Sequence, residues 1–293
     1  MATLFWSALQ AVLNGLLTGS LYALIGMGMA LIFGVMRIVN FAHGAFMMLG
    51  MYATFVLFDR LGINPYLGFI VAAALLFVIG TATYEVLIRR VAERSDFMQI
   101  LLTLGVALII TDGVQLWFGA DYHQLSIPLL DINYHLGDHI SLNAPWLLSF
   151  AITVALAVGM FWVVMKTRFG RALRAISQNR YAASLVGIHV QRTQALAFGL
   201  GLAAVGMAGG LLLPVFYLYP DVGGQFTLKS FVIVVLGGMG SIEGAAIAGV
   251  ALGVVESLTS LWWGNEWALV VDFVIFLGVL SLRPSGLFGS QRV

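Results

Sequence analysis

No Lys, Arg, Asp or Glu precedes Arg37 in this 293-residue chain. A stretch of that length without one charged side chain has no face that water would solvate. It can be stable only inside a bilayer, whose hydrocarbon core accepts roughly 20 consecutive apolar residues per crossing helix. The remainder of the chain agrees. Apolar residues make up 61% of it and charged residues 9%, whereas soluble domains sit near about 45–50% and about 25%. A chain with mean hydropathy +1.00 has too little polar surface to coat a body of this size. A soluble enzyme, a nucleic-acid binder and a disordered chain are excluded, and a polytopic membrane protein remains. The absence of a basic n-region ahead of Arg37 also argues against a cleaved signal peptide, so the first stretch is expected to stay as a span.

Windows of spanning length fall at about 5–36, 41–58, 66–88, 97–118, 146–165, 193–219, 228–240, 244–261 and 267–282. Two of them, 41–58 and 228–240, are short or interrupted by glycine. The expected fold is all-α, with eight to ten transmembrane or half-spanning helices in a single domain over 1–293. The runs are continuously apolar and show no period-2 alternation, which sets a β-barrel aside.

Charge placement sets the expected topology. Segment 166–192 holds Lys166, Arg168, Arg171, Arg174, Arg180 and Arg192 and no acid. Segment 119–145 holds Asp121, Asp131 and Asp138 and no Lys or Arg. The first is expected to be a cytoplasmic loop and the second an external one. Arg89, Arg90 and Arg94 mark another cytoplasmic turn, and Arg283 with Arg292 a cytoplasmic C-terminus. Alternation from these anchors places the N-terminus outside. His123, His135 and His139 share the acidic loop, but their spacing fits no metal-ligand motif, and no metal or cofactor is expected. With no Cys, there is no disulfide and no thiolate chemistry.

Glycine is abundant, at 34 residues. Gly15-x-x-x-Gly19 and Gly249-x-x-x-Gly253 are small-residue pairs suited to close helix packing. Leu236-Gly237-Gly238-Met239-Gly240-Ser241 places three glycines where a helix would otherwise run, and each costs about 1 kcal/mol relative to Ala there. A helix break is expected at that point, of the kind that transporters place against a cavity. Segment 206–210 reads as a second flexible point. In the first half, Asn40 and His43 follow Arg37 within an apolar environment. They face either the protein interior or a solute pathway, with Arg37 ending one helix and Asn40 capping the next as the simpler alternative. Asn40, His43, Gly237, Gly238, Gly240 and Ser241 are therefore the candidate pathway residues. Glu85, Asp112, Glu256 and Asp272 also fall within apolar runs, and Glu85 can pair with Arg89 one turn away.

The basic loop carries the clearest local design. Phe169, Leu173 and Ile176 form one helical stripe. Asn179 is placed to cap a second short helix over 180–186, with Gly187 as its C′ residue. Positive-inside anchoring alone needs no such capped knob. Tyr181-Ala182-Ala183-Ser184-Leu185-Val186-Gly187 resembles the EAA coupling loop of bacterial ABC importer permeases, with Tyr181 in place of the Glu and without the downstream Ile-x-Leu-Pro. Other segments resemble the branched-chain amino-acid permease family of the LivH type. They are Asn14-Gly15 through Gly28, Asn40-Phe41-Ala42-His43-Gly44, Arg168-x-Gly170-Arg171-x-x-Arg174-Ala175, Leu236 through Ile242 with Gly244-Ala245, and Arg283-Pro284-x-Gly286-Leu287-Phe288-Gly289.

The resemblance implies the ABC importer permease fold and a bacterial inner-membrane subunit that works by alternating access. Its partners would be a second permease, two cytoplasmic ATP-binding subunits and an external or periplasmic substrate-binding protein. Arg171, Arg174, Tyr181, Ala182, Ala183 and Gly187 would couple to the ATPases. The substrates implied are Leu, Ile and Val, with urea or short amides as a variant within the family. No Gly-x-x-x-x-Gly-Lys-Ser/Thr is present, so the chain is expected to be no enzyme and to hold no nucleotide through a P-loop of its own. An ion-coupled carrier or channel is the rival reading. An intramembrane enzyme built on His43 with Asp112 or Glu256 is a third.

Overall fold

The computed structural model describes residues 2–289, apart from 93, 126, 128, 130, 131, 138 and 139. Asp131, Asp138, His139 and Arg292 thus lie outside the described residues. The helices are α1 Ala2–Met36, α2 His43–Leu61, α3 Pro65–Thr83, α4 Arg89–Val91, α5 Asp96–Phe118, α6 Ala144–Lys166, α7 Arg168–Gln178 and α8 Arg180–Leu185. They continue with α9 Val190–Leu212, α10 Val222–Gly237, α11 Ile242–Trp263 and α12 Ala268–Leu282. A π-helical turn, Tyr84–Ile88, joins α3 to α4. Eight helices among the described residues are long and apolar enough to cross a membrane, and α10 is a shorter apolar one. The chain is an all-α polytopic membrane protein, as its apolar runs require.

Two ends of the bundle are distinguished by what they carry. At one, the basic end, α7 and α8 pack beneath α1, α6 and α9. At the other, β1 Asn133–Leu136 pairs antiparallel with β2 Ile140–Asn143 in a small hairpin. This hairpin within 119–145 has no counterpart among the sequence-derived elements. The side chain of Gln10 holds it to α1, donating to the Ser141 carbonyl at 2.8 Å and accepting from the Ser141 N–H at 3.0 Å. Exposed Trp117, Trp262, Trp263 and Trp267 gather at this end on α5, α11 and the turn into α12. Such a belt is the usual mark of a membrane–water boundary.

Opposed glycines set the closest packing. A Cβ on Gly15 would lie 2.5 Å from the Val254 Cα, and one on Gly253 2.4 Å from the Gly19 Cα. The two small-residue pairs of the sequence thus face each other across α1 and α11. The α3–α9 contact repeats the device: a Cβ on Gly206 meets Leu76 at 2.9 Å, and one on Gly80 meets the Gly199 Cα at 2.9 Å. Segment 206–210 is therefore no flexible point. It lies inside α9, whose small residues exist to admit α2 and α3, and the helix runs unbroken through it.

Of the apolar helices among the described residues, α2 and α10 begin part-way along the bundle. The first residue of α2 sits beside the middle of α1, where His43 Nε2 meets the Ile25 carbonyl at 3.0 Å, and α2 then runs to the hairpin end. The mirror case is α10, which starts against the beginning of α2 and runs to the basic end. The units α1–α2–α3–α5 and α9–α10–α11–α12 pack reciprocally: α1 on α11 corresponds to α9 on α3, and α2 on α9 to α10 on α1. They form an inverted repeat whose halves meet at Gly28 with Gly201 and at Gly44 with Gly223.

Two boundaries differ from those read in the apolar windows. The window over 193–219 overshoots, because α9 stops at Leu212 just before Pro214, which has no N–H with which to continue the helical ladder. The window over 228–240 starts late. Val222–Thr227 is polar and glycine-rich, yet it is helical, with Gly223 and Thr227 buried against α2. Overpacking a tight contact costs about 1–3 kcal/mol. Gly253→Leu is accordingly expected to lower the thermal melting point of the purified protein by that free energy. Gly278→Leu, on a face of α12 where a new Cβ meets nothing within 4 Å, is expected to melt like the parent.

Candidate functional site

The basic end is built residue by residue. Thr167 Oγ1 accepts from the Gly170 N–H at 3.1 Å and starts α7. Gly170 is obligatory, because a Cβ there would lie 1.9 Å from the Val164 carbonyl oxygen. Leu173 and Ile176 are buried and Phe169 is partly so, which makes the expected stripe the face that seats α7 on the bundle. Arg174 turns back to the end of α6: its Nη1 donates to the Val164 carbonyl, and its Nη2 to the Met165 carbonyl at 3.4 Å. A cation on the last carbonyls of a helix satisfies acceptors that have no helical partner and opposes the negative end of the dipole. Arg171 stays exposed.

Helix α8 follows as a separate projection. Asn179 Oδ1 accepts from the Ala182 N–H at 2.9 Å, the cap that the sequence announces. Gly187 ends the turn at φ +84°, a left-handed conformation natural to glycine, with open space around it. The structure divides the Ala182–Ala183 pair. Ala183 is 3% exposed and packs inward, whereas Ala182 faces out. What α8 presents is Tyr181, Leu185 and Val186, exposed at 74%, 70% and 76%. Behind it, a cavity of about 530 Å3 opens between Tyr181, Ser184 and the start of α9 at His189–Arg192.

The six candidate pathway residues fall in two separate places. Asn40 and His43 lie at the centre of the bundle, fully buried within this one chain. Asn40 Oδ1 accepts from the Ala42 N–H at 3.1 Å, which shapes the turn; the residue preceding the first turn of α2 is Ala42. His43 Nε2 donates to the Ile25 carbonyl, leaving Nδ1 and Asn40 Nδ2 without partners among the described residues. Gly237, Gly238, Gly240 and Ser241 lie instead at the basic end. Nine residues of α1 separate the contact at Ile25 from that of Gly34 with Gly240, about 13 Å of helix rise.

The expected helix break is there, with Gly238 at φ +96° and Gly240 at φ +90°, and Ser241 Oγ accepts from the Gly244 N–H to start α11. The C-terminal segment covers it. Leu287 N–H donates to the Leu236 carbonyl at 2.8 Å and Phe288 N–H to the Gly237 carbonyl at 3.3 Å. The freed carbonyls of α10 are thus satisfied by chain and not by a mid-membrane cavity.

Of the acids within apolar runs, Glu85 pairs with Arg89 at 2.9 Å as its spacing implies, and Asp112 is exposed on α5. Glu256 has a buried partner that the sequence reading passes over. Lys229 of α10 forms an ion pair with it, both side chains about one-seventh exposed (13% and 14%). Lys229 Nζ also donates to the Tyr22 hydroxyl at 3.0 Å and lies 4.6 Å from that ring's centroid. The rule that singles out a lone charge in an apolar run applies to Lys229 as fully as to Glu256. Its window, taken from 228, opens on the polar turn that holds it.

Residues 11–280 match the family described as branched-chain amino acid transport system / permease component. The chain belongs to that family. It is similar to the high-affinity branched-chain amino acid transport system permease protein LivH of Salmonella typhimurium, 32% identical over 100% of this chain and 99% of the relative. It is 31% identical to the BraD permease of Pseudomonas aeruginosa over 97% of each. A more distant relative is the probable branched-chain amino acid transport permease LivM of Methanocaldococcus jannaschii, 24% identical over 83% of this chain and 75% of the relative. No solved structure matches the chain. The permease component is a membrane part of a transporter, which agrees with the apolar helices of this chain.

The two loop arginines should separate experimentally. Hydrogen bonds to a charged group are worth about 1.5–3 kcal/mol. Arg174→Ala is expected to destabilise the protein by that order and to open 166–180 to proteolysis. Arg171→Ala should leave melting unchanged within about 0.5 kcal/mol.

Proposed function

We propose that this chain is one permease subunit of an ATP-driven ABC importer for amino acids, of which branched-chain Leu, Ile and Val are the first candidates. It pairs with a second, related permease, two cytoplasmic ATP-binding subunits and an external binding protein. The basic end is cytoplasmic under the positive-inside rule, which places the hairpin and the N-terminus outside. The observation that carries the reading is α8. It is capped at both ends and set apart from the bundle, and it exposes Tyr181, Leu185 and Val186 to water although nothing in the chain needs them there. A helix of this kind suits a cleft on another protein, and a permease component without a P-loop sequence of its own would draw its energy from such a partner.

In this mechanism the ATPases close on nucleotide and push α8. The push passes to α7 and α9 through buried Ala183, Leu173 and Ile176. The inverted repeat then tilts as two units, and the side of the assembly open to solute alternates. Arg171, Tyr181, Ala182 and the Gly187 turn form the contact surface. Arg174 acts by holding α7 to α6.

The first test is a tagged purification from mildly solubilised membranes. Two P-loop ATPases and a second apolar permease in stoichiometric amounts are the expected result. A chain that purifies without them and reconstitutes gradient-driven uptake by itself overturns the proposal in favour of an ion-coupled carrier. Within the complex, Gly187→Trp should insert normally and cut uptake at least about tenfold, because a bulky residue at φ +84° both strains the turn and crowds the docking face. Normal uptake by well-expressed Gly187→Trp would remove α8 from the coupling path.

A further inference from the structure

Toward the hairpin end, α1, α10, α11 and the start of α12, with Trp146 and Phe216, line an open cleft of about 530 Å3, within the roughly 300–1,000 Å3 range of small-molecule sites. Its lining combines the charged Lys229, Glu256 and Glu266 and the Tyr22 hydroxyl with apolar Trp146, Phe216 and Leu269. The ion pair is poorly explained as a brace. Removing two charges from water costs several kcal/mol per ion, and an apolar pair of similar volume is often as stable or more so. Moreover, α10 and α11 are already locked at Gly237 and Gly244, where a Cβ on Gly244 would lie 1.9 Å from the Gly237 carbonyl oxygen. A charge kept inside a membrane bundle against that cost is characteristic of a ligand path.

A second acid completes the picture. Asp272 of α12 is 2% exposed, and neither of its carboxylate oxygens has a partner among the described residues. It is close enough to interact electrostatically with both Glu256 and Lys229. One partly buried lysine thus lies near a partly buried acid and a fully buried one. The ligand that suits such a place carries a cation next to an anion. A free α-amino acid does so on adjacent atoms: its ammonium can take Glu256 while its carboxylate takes Lys229. The net charge of the cavity is unchanged on binding, and each desolvated end finds an opposite charge. An apolar side chain then lies toward Trp146, Phe216 and Leu269. A ligand with only one of the two charged groups leaves one protein charge buried and unmatched.

We propose that this cavity is a binding site for the zwitterionic end of a free α-amino acid, with Lys229 receiving the carboxylate and Glu256 the ammonium. The site rests on the amino-acid permease reading above and stands apart from Asn40, His43 and the 237–241 break.

The test uses the full complex in ATP-loaded proteoliposomes with its binding protein and radiolabelled L-leucine. Lys229→Met combined with Glu256→Leu removes both charges at similar volume. A bracing pair tolerates that exchange, and a zwitterion site does not. The double variant, carried with Asp272→Asn so that no buried acid is left without its cation, is expected to assemble and melt like the parent while uptake falls at least tenfold. Uptake within twofold of the parent overturns the site. Should the double variant not assemble, Ser257→Phe decides, because it fills the cavity and leaves the pair in place. A tenfold loss supports the site, and parental uptake overturns it. A parent complex that hydrolyses ATP but takes up none of L-leucine, L-isoleucine, L-valine and L-alanine overturns the amino-acid permease reading and the site with it. That result is distinguishable from failure of the variants in an active parent.

Discussion

Where α2 and α10 begin, the backbone of one helix lies against the backbone of the other. A Cβ on Gly44 would sit 1.9 Å from the Gly223 carbonyl oxygen, and one on Gly223 2.7 Å from the Gly44 carbonyl oxygen. Two helix N-termini meeting inside a bilayer bring unsatisfied N–H groups and two positive dipole ends to a place without water. The side chains around them meet that demand. Thr227 Oγ1 accepts from the Gly44 N–H at 3.0 Å, and Asn40 Oδ1 from the Ala42 N–H at 3.1 Å. Without this crossing, neither half-helix could start at mid-depth, and the inverted repeat would have no centre. The pairing of α1 with α11 and of α3 with α9 is the outer consequence of the same arrangement, with glycines again admitting backbone to backbone.

Seen from that centre, the polar groups of the interior divide into two kinds. Asn40, His43 and Thr227 serve the crossing. Their bonds go to backbone atoms, as hydrogen-bonding groups in a buried turn must. Lys229, Glu256 and Asp272 serve no backbone group that the structure records. Lys229 pairs with Glu256 and the Tyr22 hydroxyl, and Asp272 feels the two charges only at a distance, with no hydrogen-bond partner among the described residues. The first set explains how the fold closes, and the second is what the fold leaves over.

Much of the fold was legible because the bilayer simplifies the problem. Apolar windows located the long helices, and the charge asymmetry between 119–145 and 166–192 separated the two ends. Local chemistry announced the α8 cap at Asn179 and the Gly187 turn, and the facing glycine pairs of α1 and α11 were readable as packing surfaces. What a window cannot report is depth. Asn40 and Gly238 look alike as polar or glycine interruptions, yet one is central and the other is covered by the C-terminal segment at the basic end. The same limit turned the Gly206–Gly210 stretch from a packed seam into an apparent hinge. Lys229 stayed hidden for a related reason. Hydropathy averaging treats Val222–Thr227 as loop, although burial against α2 makes it helix.

The placement of α10 ties these elements into one mechanical unit. Its start is fixed to α2 at Gly44, its middle to α1 and α11 through Lys229, Tyr22 and Glu256, and its end to the C-terminal segment through the Leu236 and Gly237 carbonyls. Backbone contacts hold this short helix at both ends, and the charged contact at its middle is the one that the fold does not need as a brace. Its basic end lies where α1, α7 and the 237–241 break converge, and about two helix turns separate that end from the Lys229–Glu256 pair. The ion pair is the one attachment of the three that a ligand with paired charges can replace bond for bond. That makes the cavity beside it the place in this chain where occupancy and the position of α10 can be coupled.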